Sequence, residues 1–464
     1  MSPYKRLISK IKQVLSPAYH TEPTQSEVIL PTQDTITHIP DRITRDQHNL
    51  SRRDLSRAAL KVLYQLHNAG YQALLVGGGV RDVLLGKTPK DFDIVTNAHP
   101  EEIRSLFHNC HLIGRRFVLA HVRFGREIIE VATFRASHTN SEAGVTENGR
   151  IVRDNVYGTI DDDAHRRDFT INALYYDISD FAILDYAQGM EDLEDKVIRF
   201  IGDPILRYQE DPVRILRAIR FAAKLGFTIE EETAKPIASM ASLLRNIPSS
   251  RLYDESLKLF LSGHAVVVLE LMQEYNVFKH LFPLTYKQLD QEPIQQLLRL
   301  LCENTDKRIQ NQQSVTPGFF FAVLLWAPLV EQKTRLMEQG QSEQDAIINA
   351  AQIILQKQAK FVSIPRRITA FMHEVWILQP RLTRKKDKRA MSAFMHPRFR
   401  ASFDFLILRA EIGENVEESV TWWTDFQNMD EKDRPQRLKH SHNGRYRKGS
   451  RRRKRHTKHT SRDS

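Results

Sequence analysis

The chain has 464 residues and a formal net charge of +11, and this length is enough for two to four domains with separate cores. Its two cysteines, Cys110 and Cys302, exclude a disulfide framework and a cysteine-based zinc site, so we expect a reducing, cytoplasmic location. Residues 1–16 lack the apolar core of a secretory signal, and the longest apolar run, residues 318–330, is too short to cross a bilayer. We therefore expect no stable membrane insertion.

Residues 1–50 are predicted to form a flexible N-terminal arm. Within the arm, residues 4–15 are basic and amphipathic, which is typical of a helix on a membrane surface or, as we favour, of a frayed helix before a linker rich in Pro and Thr. The next helix is predicted over residues 54–68, because apolar residues recur there at helical spacing and Gly70 can end it.

A buried strand over residues 73–76 is followed directly by Gly77, Gly78 and Gly79. Glycines let the backbone approach a ligand closely and offer N–H groups to phosphate oxygens, although such a triplet is more often a tight turn. The spacing matches neither the dinucleotide-binding fingerprint nor the P-loop. Because Arg81 adds positive charge beside it, the triplet is a candidate phosphate-binding loop.

Two acids, Asp91 and Asp93, come at the start of the next predicted strand, residues 92–96. Side chains two apart on a strand share one face, so the two carboxylates project together while Phe92 points into apolar packing. Such a pair is more often solvated surface, but two adjacent carboxylates close to a phosphate-binding loop favour Mg²⁺. We interpret the stretch as a phosphoryl-transfer site.

Further strands are expected over residues 111–113, 119–124 and 127–134, with a helix near 101–107. In the last strand Glu130 interrupts a run of β-branched residues. An acid there is costly unless it is paired or bound to a metal, so Glu130 is a candidate third carboxylate. The alternative, an acid at the edge of the sheet facing solvent, remains open.

A second dense cluster of polar residues follows at residues 164–177. Arg166 and Arg167 are candidates to hold a triphosphate. Asp168 and Asn172 are predicted to lie four apart on a helix and therefore to face the same way.

An amphipathic helix within residues 202–227 is predicted to begin at the Asp211–Pro212 pair. Asp211 and Arg214 lie three apart on one face, which places a hydrogen-bond acceptor beside a fixed donor fork. The Watson–Crick edges of adenine and cytosine match that pair, whereas guanine and uracil present the reverse. The alternative is an ordinary helix cap with an intrahelical salt bridge.

From residue 229 onward the pattern predicts only helices. Arg251, Glu255 and Lys258 recur at helical spacing and form a candidate ion-paired brace for the base-reading pair. Basic clusters at residues 361–367 and 384–389 are candidates to follow an RNA backbone. Trp422 and Trp423 are interpreted as core residues.

Positive charge is concentrated at the C-terminus. Thirteen Lys and Arg and one Asp fall between residues 434 and 464, a net of +12, so the other 433 residues sum to −1. A tail without apolar periodicity is disordered when free and either solubilises the chain or, as we favour, binds nucleic-acid phosphates. The RNA-binding candidates at its centre are Arg451, Arg452, Arg453, Lys454 and Arg455.

Five motifs in sequence order resemble those of a nucleotidyltransferase family that includes tRNA CCA-adding enzymes and bacterial poly(A) polymerases. They are the D-x-D pair, R-R-D-F-T-x-N at residues 166–172, the turn at 189–199, E-D-x-x-R at 210–214 and R-x-x-x-E-x-x-K at 251–258. The likeness extends over about residues 54–426.

The resemblance implies a site built from several of these motifs. Asp91 and Asp93 would hold two Mg²⁺ ions, R-R-D would bind the triphosphate and ribose of ATP, and E-D-x-x-R would read the incoming base. Asp168 is then grouped with the catalytic acids, and we expect it to check the ribose hydroxyl. Arg217, one helical turn beyond Arg214, is assigned to nucleotide binding.

The resemblance also implies an α+β fold. We expect an N-terminal head with a small mixed sheet, then an all-helical neck, body and leg, and a disordered basic tail. The predicted units are an arm (1–50), a catalytic head (51–186), a nucleotide-recognition neck (187–262), an RNA-binding body (263–430) and the tail (431–464).

Residues 112–122 and 364–369, the length and the basic tail resemble the poly(A) polymerase branch. That branch adds AMP from ATP to RNA 3′ ends without a template, in mRNA processing and RNA decay. We therefore expect RNA 3′ ends as the substrate, RNA-decay proteins as possible partners, and a monomer. A CCA-adding enzyme and a non-catalytic RNA-binding adaptor are the alternatives.

Overall fold

The computed structural model describes residues 39–114, 118–136, 146–147, 150–151, 156–384, 387–430 and 434. The predicted arm up to residue 38 and the basic tail, including its arginine cluster, lie outside the described residues. No helix in the described part of the chain is long and apolar enough to cross a membrane.

Eight strands of the described chain form one mixed sheet, in the order β1-β10-β9-β2-β3-β6-β5-β4. Neighbouring strands are antiparallel except β3 and β6, which are parallel. The strands are Asp41–Ile43 (β1), Ala73–Val76 (β2), Asp93–Thr96 (β3), Cys110–Ile113 (β4), Leu119–Phe124 (β5), Glu127–Thr133 (β6), Leu174–Asp177 (β9) and Ile183–Asp185 (β10). Two short ladders stand apart, Thr146–Glu147 (β7) with Arg150–Ile151 (β8) and Val197–Ile198 (β11) with Thr228–Ile229 (β12).

Around and after the sheet the described chain is mainly helical, which confirms the predicted fold class. The helices of the first half are Arg57–Asn68 (α1), Gly78–Leu84 (α2), Pro100–Leu106 (α3), Ile160–His165 (α4), Gly189–Glu194 (α5), Pro204–Glu210 (α6), Val213–Leu225 (α7), Glu231–Ala234 (α8), Ile237–Met240 (α9) and Ser249–Phe260 (α10). Those of the second half are Ala265–Glu274 (α11), Phe278–Leu281 (α12), Pro283–Tyr286 (α13), Glu292–Gln310 (α14), Pro317–Leu324 (α15), Trp326–Glu338 (α16), Glu343–Gln358 (α17), Arg366–Thr383 (α18), Asp387–Phe394 (α19), Phe399–Glu411 (α20) and Glu417–Asn428 (α21). Short 3₁₀ turns occur at Arg52–Asp54, Thr170–Asn172 and Ala241–Asn246.

Strand β2 is central because all four of its side chains are buried and it pairs on both edges, with β3 and β9. Helix α1 covers the sheet with an apolar stripe that includes Ala59, Val62 and Leu66. It begins at Arg57 instead of the predicted residue 54, because the Ser56 hydroxyl accepts the Ala59 N–H and caps it there.

Two strand pairings differ from what was expected inside the predicted units, whose bounds stay predictions. The sheet extends into the predicted arm, since Asp41–Ile43 pairs with β10 and satisfies the backbone groups of an otherwise open edge. The predicted neck is not purely helical, since β11 and β12 form a parallel ladder of two residues each.

One continuous apolar core joins the sheet, the neck helices and most of the later helices. A second core lies among the last helices, where Trp423 is fully buried and its indole N–H donates to the Leu382 carbonyl at 2.8 Å. The core interpretation of Trp423 is therefore confirmed.

Candidate active site

The glycine loop lies where β2 ends and α2 begins. Gly77 adopts a φ of +72°, the left-handed region that favours glycine. A Cβ on Gly77 would lie 3.5 Å from Nη1 of Arg167, and one on Gly79 would lie 3.5 Å from the carbonyl oxygen of Asp91. The loop therefore lies against both the D-x-D segment and the arginine cluster.

Asp93 is the first residue of β3 and Asp91 lies two residues before it; both acids are exposed, and Phe92 between them is buried. Asp93 pairs in register with Glu130 on β6. Solvent reaches Asp93, yet protein atoms crowd its carboxylate on the other sides. This loss of hydration raises the pKa of Asp93 to about 6; the charges of Glu130 and Asp91 add to it, and Arg167 opposes it.

No three His, Cys, Asp or Glu side chains of the described residues already converge as a metal-binding group. The donor set nevertheless suits Mg²⁺, because carboxylate oxygens are its preferred protein ligands. A divalent cation would also offset the repulsion from Glu130 and Asp91, which adds to the effect of burial on the pKa of Asp93. Glu130 is half exposed, with Oε1 3.4 Å from Nε2 of His121, so its two interpretations both stay predictions.

The arginines of the R-R-D motif are held by an acid that the sequence analysis missed. Asp163 is fully buried on α4 and accepts hydrogen bonds from Arg166, from Arg167 at 2.9 and 3.1 Å, and from the Tyr175 hydroxyl at 2.9 Å. Burial alone would raise the pKa of Asp163, but the two guanidinium groups outweigh it and hold that pKa at about 2. The sequence did contain a signal for this contact: Asp163 precedes Arg166 by three residues and Arg167 by four, the spacing at which side chains on one helix face meet.

Asp168 and Asn172 do not lie on one helix, and that prediction is wrong. Helix α4 ends at His165. Phe169 is extended, because its backbone forms a β-bridge with Phe200 and its buried side chain packs against the same residue. The two polar side chains still meet, since the Asn172 Nδ2 donates to Asp168 Oδ1 at 3.4 Å.

A hydrogen-bonded chain connects the head to helix α7 through these residues. The buried Arg81 donates to Asn172 Oδ1 at 2.6 Å, and Arg217 donates from Nε to Asp168 Oδ2 at 2.6 Å. Burial alone would raise the pKa of Asp168, but Arg217 and the hydrogen bonds outweigh it, so the pKa lies below its usual value. Asp168 is thus a charged, fixed group beside the candidate phosphate site.

The base-reading candidates lie where α6 meets α7. Asp211 Oδ1 accepts the Val213 N–H at 3.2 Å, and its Oδ2 accepts from Arg251 on α10 at 2.6 Å. Arg214 donates to Glu210 at 2.5 Å. Asp211 is therefore not the N-cap residue of α7, which is Pro212, but its side chain accepts an N–H of the first turn, and Arg251 contacts the same carboxylate. The base-reading and brace roles stay predictions.

The other two brace candidates form their own contact. Lys258 pairs with the buried Glu255 at 2.7 Å. Both residues lie on α10, and the charge of Glu255 acts on Arg220 of α7.

Arg220 is a second residue that the sequence analysis missed. The guanidinium groups of Arg81, Arg217 and Arg220 lie 5.2, 5.6 and 4.9 Å from the centroid of the Phe221 ring. Burial and the neighbouring cations lower the pKa of Arg220. This excess of positive charge next to Asp168 fits an anionic ligand.

Three family models match the chain. The Poly A polymerase head domain matches residues 73–199, the probable RNA and SrmB-binding site of polymerase A matches 226–289, and the polymerase A arginine-rich C-terminus matches 339–459. The head match contains the glycine loop, the D-x-D pair and the R-R-D motif.

Curated relatives extend over most of the chain. Poly(A) polymerase I of Escherichia coli O6:H1 is 50% identical over 398 residues, 83% of this chain and 85% of the relative. Poly(A) polymerase I of Haemophilus influenzae is 45% identical over 392 residues, 82% of this chain and 86% of the relative. Among solved structures, the Bacillus stearothermophilus CCA-adding enzyme in complex with CTP aligns with a TM-score of 0.54 and 26% identity, covering 78% of this chain and 80% of that one. The chain therefore belongs to the poly(A) polymerase I family, and CCA-adding enzymes are its relatives.

Proposed function

We propose that this protein is a polynucleotide adenylyltransferase that transfers AMP from ATP to the 3′-hydroxyl of an RNA, without a template, and releases pyrophosphate. One observation carries the proposal. Asp93 pairs with Val76 at the end of β2, a Cβ on Gly79 would lie 3.5 Å from the Asp91 carbonyl oxygen, and one on Gly77 would lie 3.5 Å from Arg167, so the candidate phosphate-binding and metal-binding segments share one end of β2. Membership of the poly(A) polymerase I family supports adenylyl transfer as the chemistry.

In this reaction the RNA 3′-oxygen bonds to the α-phosphorus of ATP, the bond from that phosphorus to the β-bridging oxygen breaks, and the hydroxyl proton passes to water. Asp91, Asp93 and, in our prediction, Glu130 would hold two Mg²⁺ ions, which would supply the positive charge that activates the hydroxyl and stabilises the leaving pyrophosphate. No covalent intermediate with the protein is required.

The chain's own side chains would position the substrates. Arg166 and Arg167, oriented by Asp163, would hold the triphosphate, and the fixed carboxylate of Asp168 would accept a ribose hydroxyl. Gly77 lets the backbone approach the phosphates, since a side chain there would point at Arg167.

Asp211 would accept a hydrogen bond from the Watson–Crick edge of adenine, and Arg214 would donate one to it. Each would give up some of its present contacts to do so. Their present ion-pair partners are Arg251 and Glu210, which would limit the movement of the two groups. An acceptor beside a donor also suits cytosine, so this pair alone does not distinguish ATP from CTP.

Two primers distinguish polyadenylation from CCA addition. With oligo(A), ATP and Mg²⁺, we expect long tails made from ATP alone. A requirement for CTP on a tRNA lacking its 3′ end, with extension stopping after three nucleotides, would identify a CCA-adding enzyme. Binding of either RNA without nucleotide consumption would identify an adaptor.

Further assignments stay predictions of the sequence. They are the cytoplasmic location, the roles in mRNA processing and RNA decay, the RNA-decay partners and the monomeric state. RNA as the substrate class draws support from the matched RNA-binding region at residues 226–289.

A further inference from the structure

A cavity of about 620 Å³ lies among the later helices, and none of its lining residues belongs to the candidate active site. It is formed by the C-terminal half of α14, the loop into α15, and parts of α18 and α20. This volume falls in the range of sites that enclose a small organic ligand or one nucleotide.

Positive charge dominates the ionised side chains of the cavity. Its cations are Lys307, Arg308, Arg398 and Arg400, and its acids are Asp404 and Glu411. Lys307 and Arg400 are exposed, and Arg400 is paired with Asp404 at 3.0 Å. The rim therefore offers exposed cations to an anionic group, such as a phosphate.

Two half-buried phenyl rings, Phe319 and Phe371, supply flat apolar walls. A Cβ on Gly318 would lie 2.6 Å from Cδ1 of Phe371, so glycine is required for α15 to pack against that ring. The guanidinium of Arg398 lies 4.7 Å from the Phe371 centroid and pairs with Glu374 at 2.8 Å, so this planar group at the same wall is already partly neutralised.

Hydrogen-bonding groups complete the lining, with Asp404 partly buried and Asn304 and Asn311 exposed. Asp404 is partly buried, and this burial raises its pKa although Arg400 and Arg308 oppose the effect. Asn304, Asn311 and other amide and hydroxyl side chains of the lining add donors and acceptors. Planar walls, polar groups and a cationic rim together match the base and phosphate of a nucleotide.

We propose that this cavity binds one nucleotide of single-stranded RNA, away from the reacting 3′ end. Stacking on aromatic and guanidinium planes combined with contacts to phosphate is the usual chemistry of single-strand recognition. A concave site of this size does not admit a duplex, whose bases are stacked inside the helix. Such a site would hold RNA already threaded past the active site, and it requires no catalysis.

Binding of a fluorescent oligo(A) to the full-length protein, without ATP or Mg²⁺, tests the proposal. The cavity variant Lys307→Ala/Arg400→Ala removes two exposed rim cations. The matched control Lys287→Ala/Arg299→Ala removes the same charge at exposed sites outside the cavity, and Arg299 pairs with Glu303 as Arg400 pairs with Asp404. We expect about tenfold weaker binding and a salt slope shallower by about 1.4 for the cavity variant, but not for the control, at about 0.7 per lost phosphate contact.

Photocrosslinking with 8-azidoadenosine placed within the oligo(A) locates the contact. Crosslinks to peptides of residues 316–324 or 398–408 are expected. Equal affinities of the two variants, or crosslinks confined to other regions, would overturn the proposal. Loss of the crosslink with millimolar free AMP, but not with unlabelled oligo(A), would assign the cavity to a free nucleotide instead of RNA. Because no nucleotide is consumed, failure here is separate from failure of the adenylyl-transfer assay.

Discussion

Asp93 and Glu130 lie opposite each other on the parallel strands β3 and β6, and neither carboxylate is neutralised by a direct bond to a Lys or Arg side chain in the described residues. The arrangement is unfavourable in the protein alone, as the raised pKa of Asp93 indicates. Strain of this kind is expected where a cation binds during the reaction.

We therefore expect the rate of AMP incorporation by Asp93→Asn to fall by at least about 1,000-fold, because one metal ligand is missing. The folded state of the variant should nevertheless be more stable than that of the wild type. In metal-free buffer at pH 7.5 we expect its melting temperature to rise by about 1–3 °C, a value discounted because Asp93 is solvent-accessible. Differential scanning calorimetry and a primer-extension gel measure the two effects. Normal turnover would refute the metal assignment.

The stability gain of Asp93→Asn should depend on pH in a defined direction. The folded pKa of about 6 exceeds the ordinary value of 3.8, so the folded wild type binds more protons than the unfolded chain between these values. The wild type then loses stability as pH rises from about 4 to about 6. The difference in melting temperature should grow over that window and stay constant above it, and Mg²⁺ should reduce it.

Asp163→Asn tests the anchoring of the R-R-D arginines. Removing a fully buried carboxylate that binds two guanidinium groups should cost about 3 kcal/mol in the free energy of unfolding. We expect the KM for ATP to rise more than kcat falls, because Asp163 positions the arginines without touching the reacting atoms. Denaturant titration and steady-state kinetics measure both, with the exposed Asp195→Asn as the control.

The pKa of Asp163 also fixes the sign of its pH effect. Since the folded pKa of about 2 lies below 3.8, its contribution is fully present above about pH 4 and disappears as pH falls toward 2. A stability difference between wild type and Asp163→Asn that vanished at pH 7 would contradict this assignment.

Arg251→Ala should loosen nucleotide selection. Arg251 donates to Asp211 Oδ2 at 2.6 Å, and its loss leaves the candidate base-reading carboxylate held only through Oδ1, which accepts the Val213 N–H. We expect a KM for ATP several-fold higher and more frequent incorporation of GTP and UTP. Competition assays with mixed nucleotides measure this, and Arg245→Ala, an exposed cation before the same helix, is the control.

Deletion of residues 434–464 should weaken RNA binding and flatten its salt dependence, because the segment carries a net charge of +12. On a saturating primer the rate of AMP incorporation should change little. A salt slope equal to that of the full-length protein would show that the tail has another role.

The sequence by itself determined the parts whose signal is local. The two-residue spacing of Asp91 and Asp93 around Phe92 predicted the alternation of exposed and buried side chains that the structure has, and the glycine triplet after an apolar strand predicted the position of the loop. These features depend on strand period and backbone freedom, which residues close in sequence specify.

Only the tertiary structure decided the contacts between distant segments. The pairing of Asp93 with Glu130, the chain from Arg81 through Asn172 and Asp168 to Arg217, and the body cavity all depend on how elements pack, which no local pattern encodes. The same reason explains the error at Asp168. A four-residue spacing indicated a helix, but the burial of Phe169 against Phe200 favoured an extended backbone, and tertiary packing outweighed local propensity.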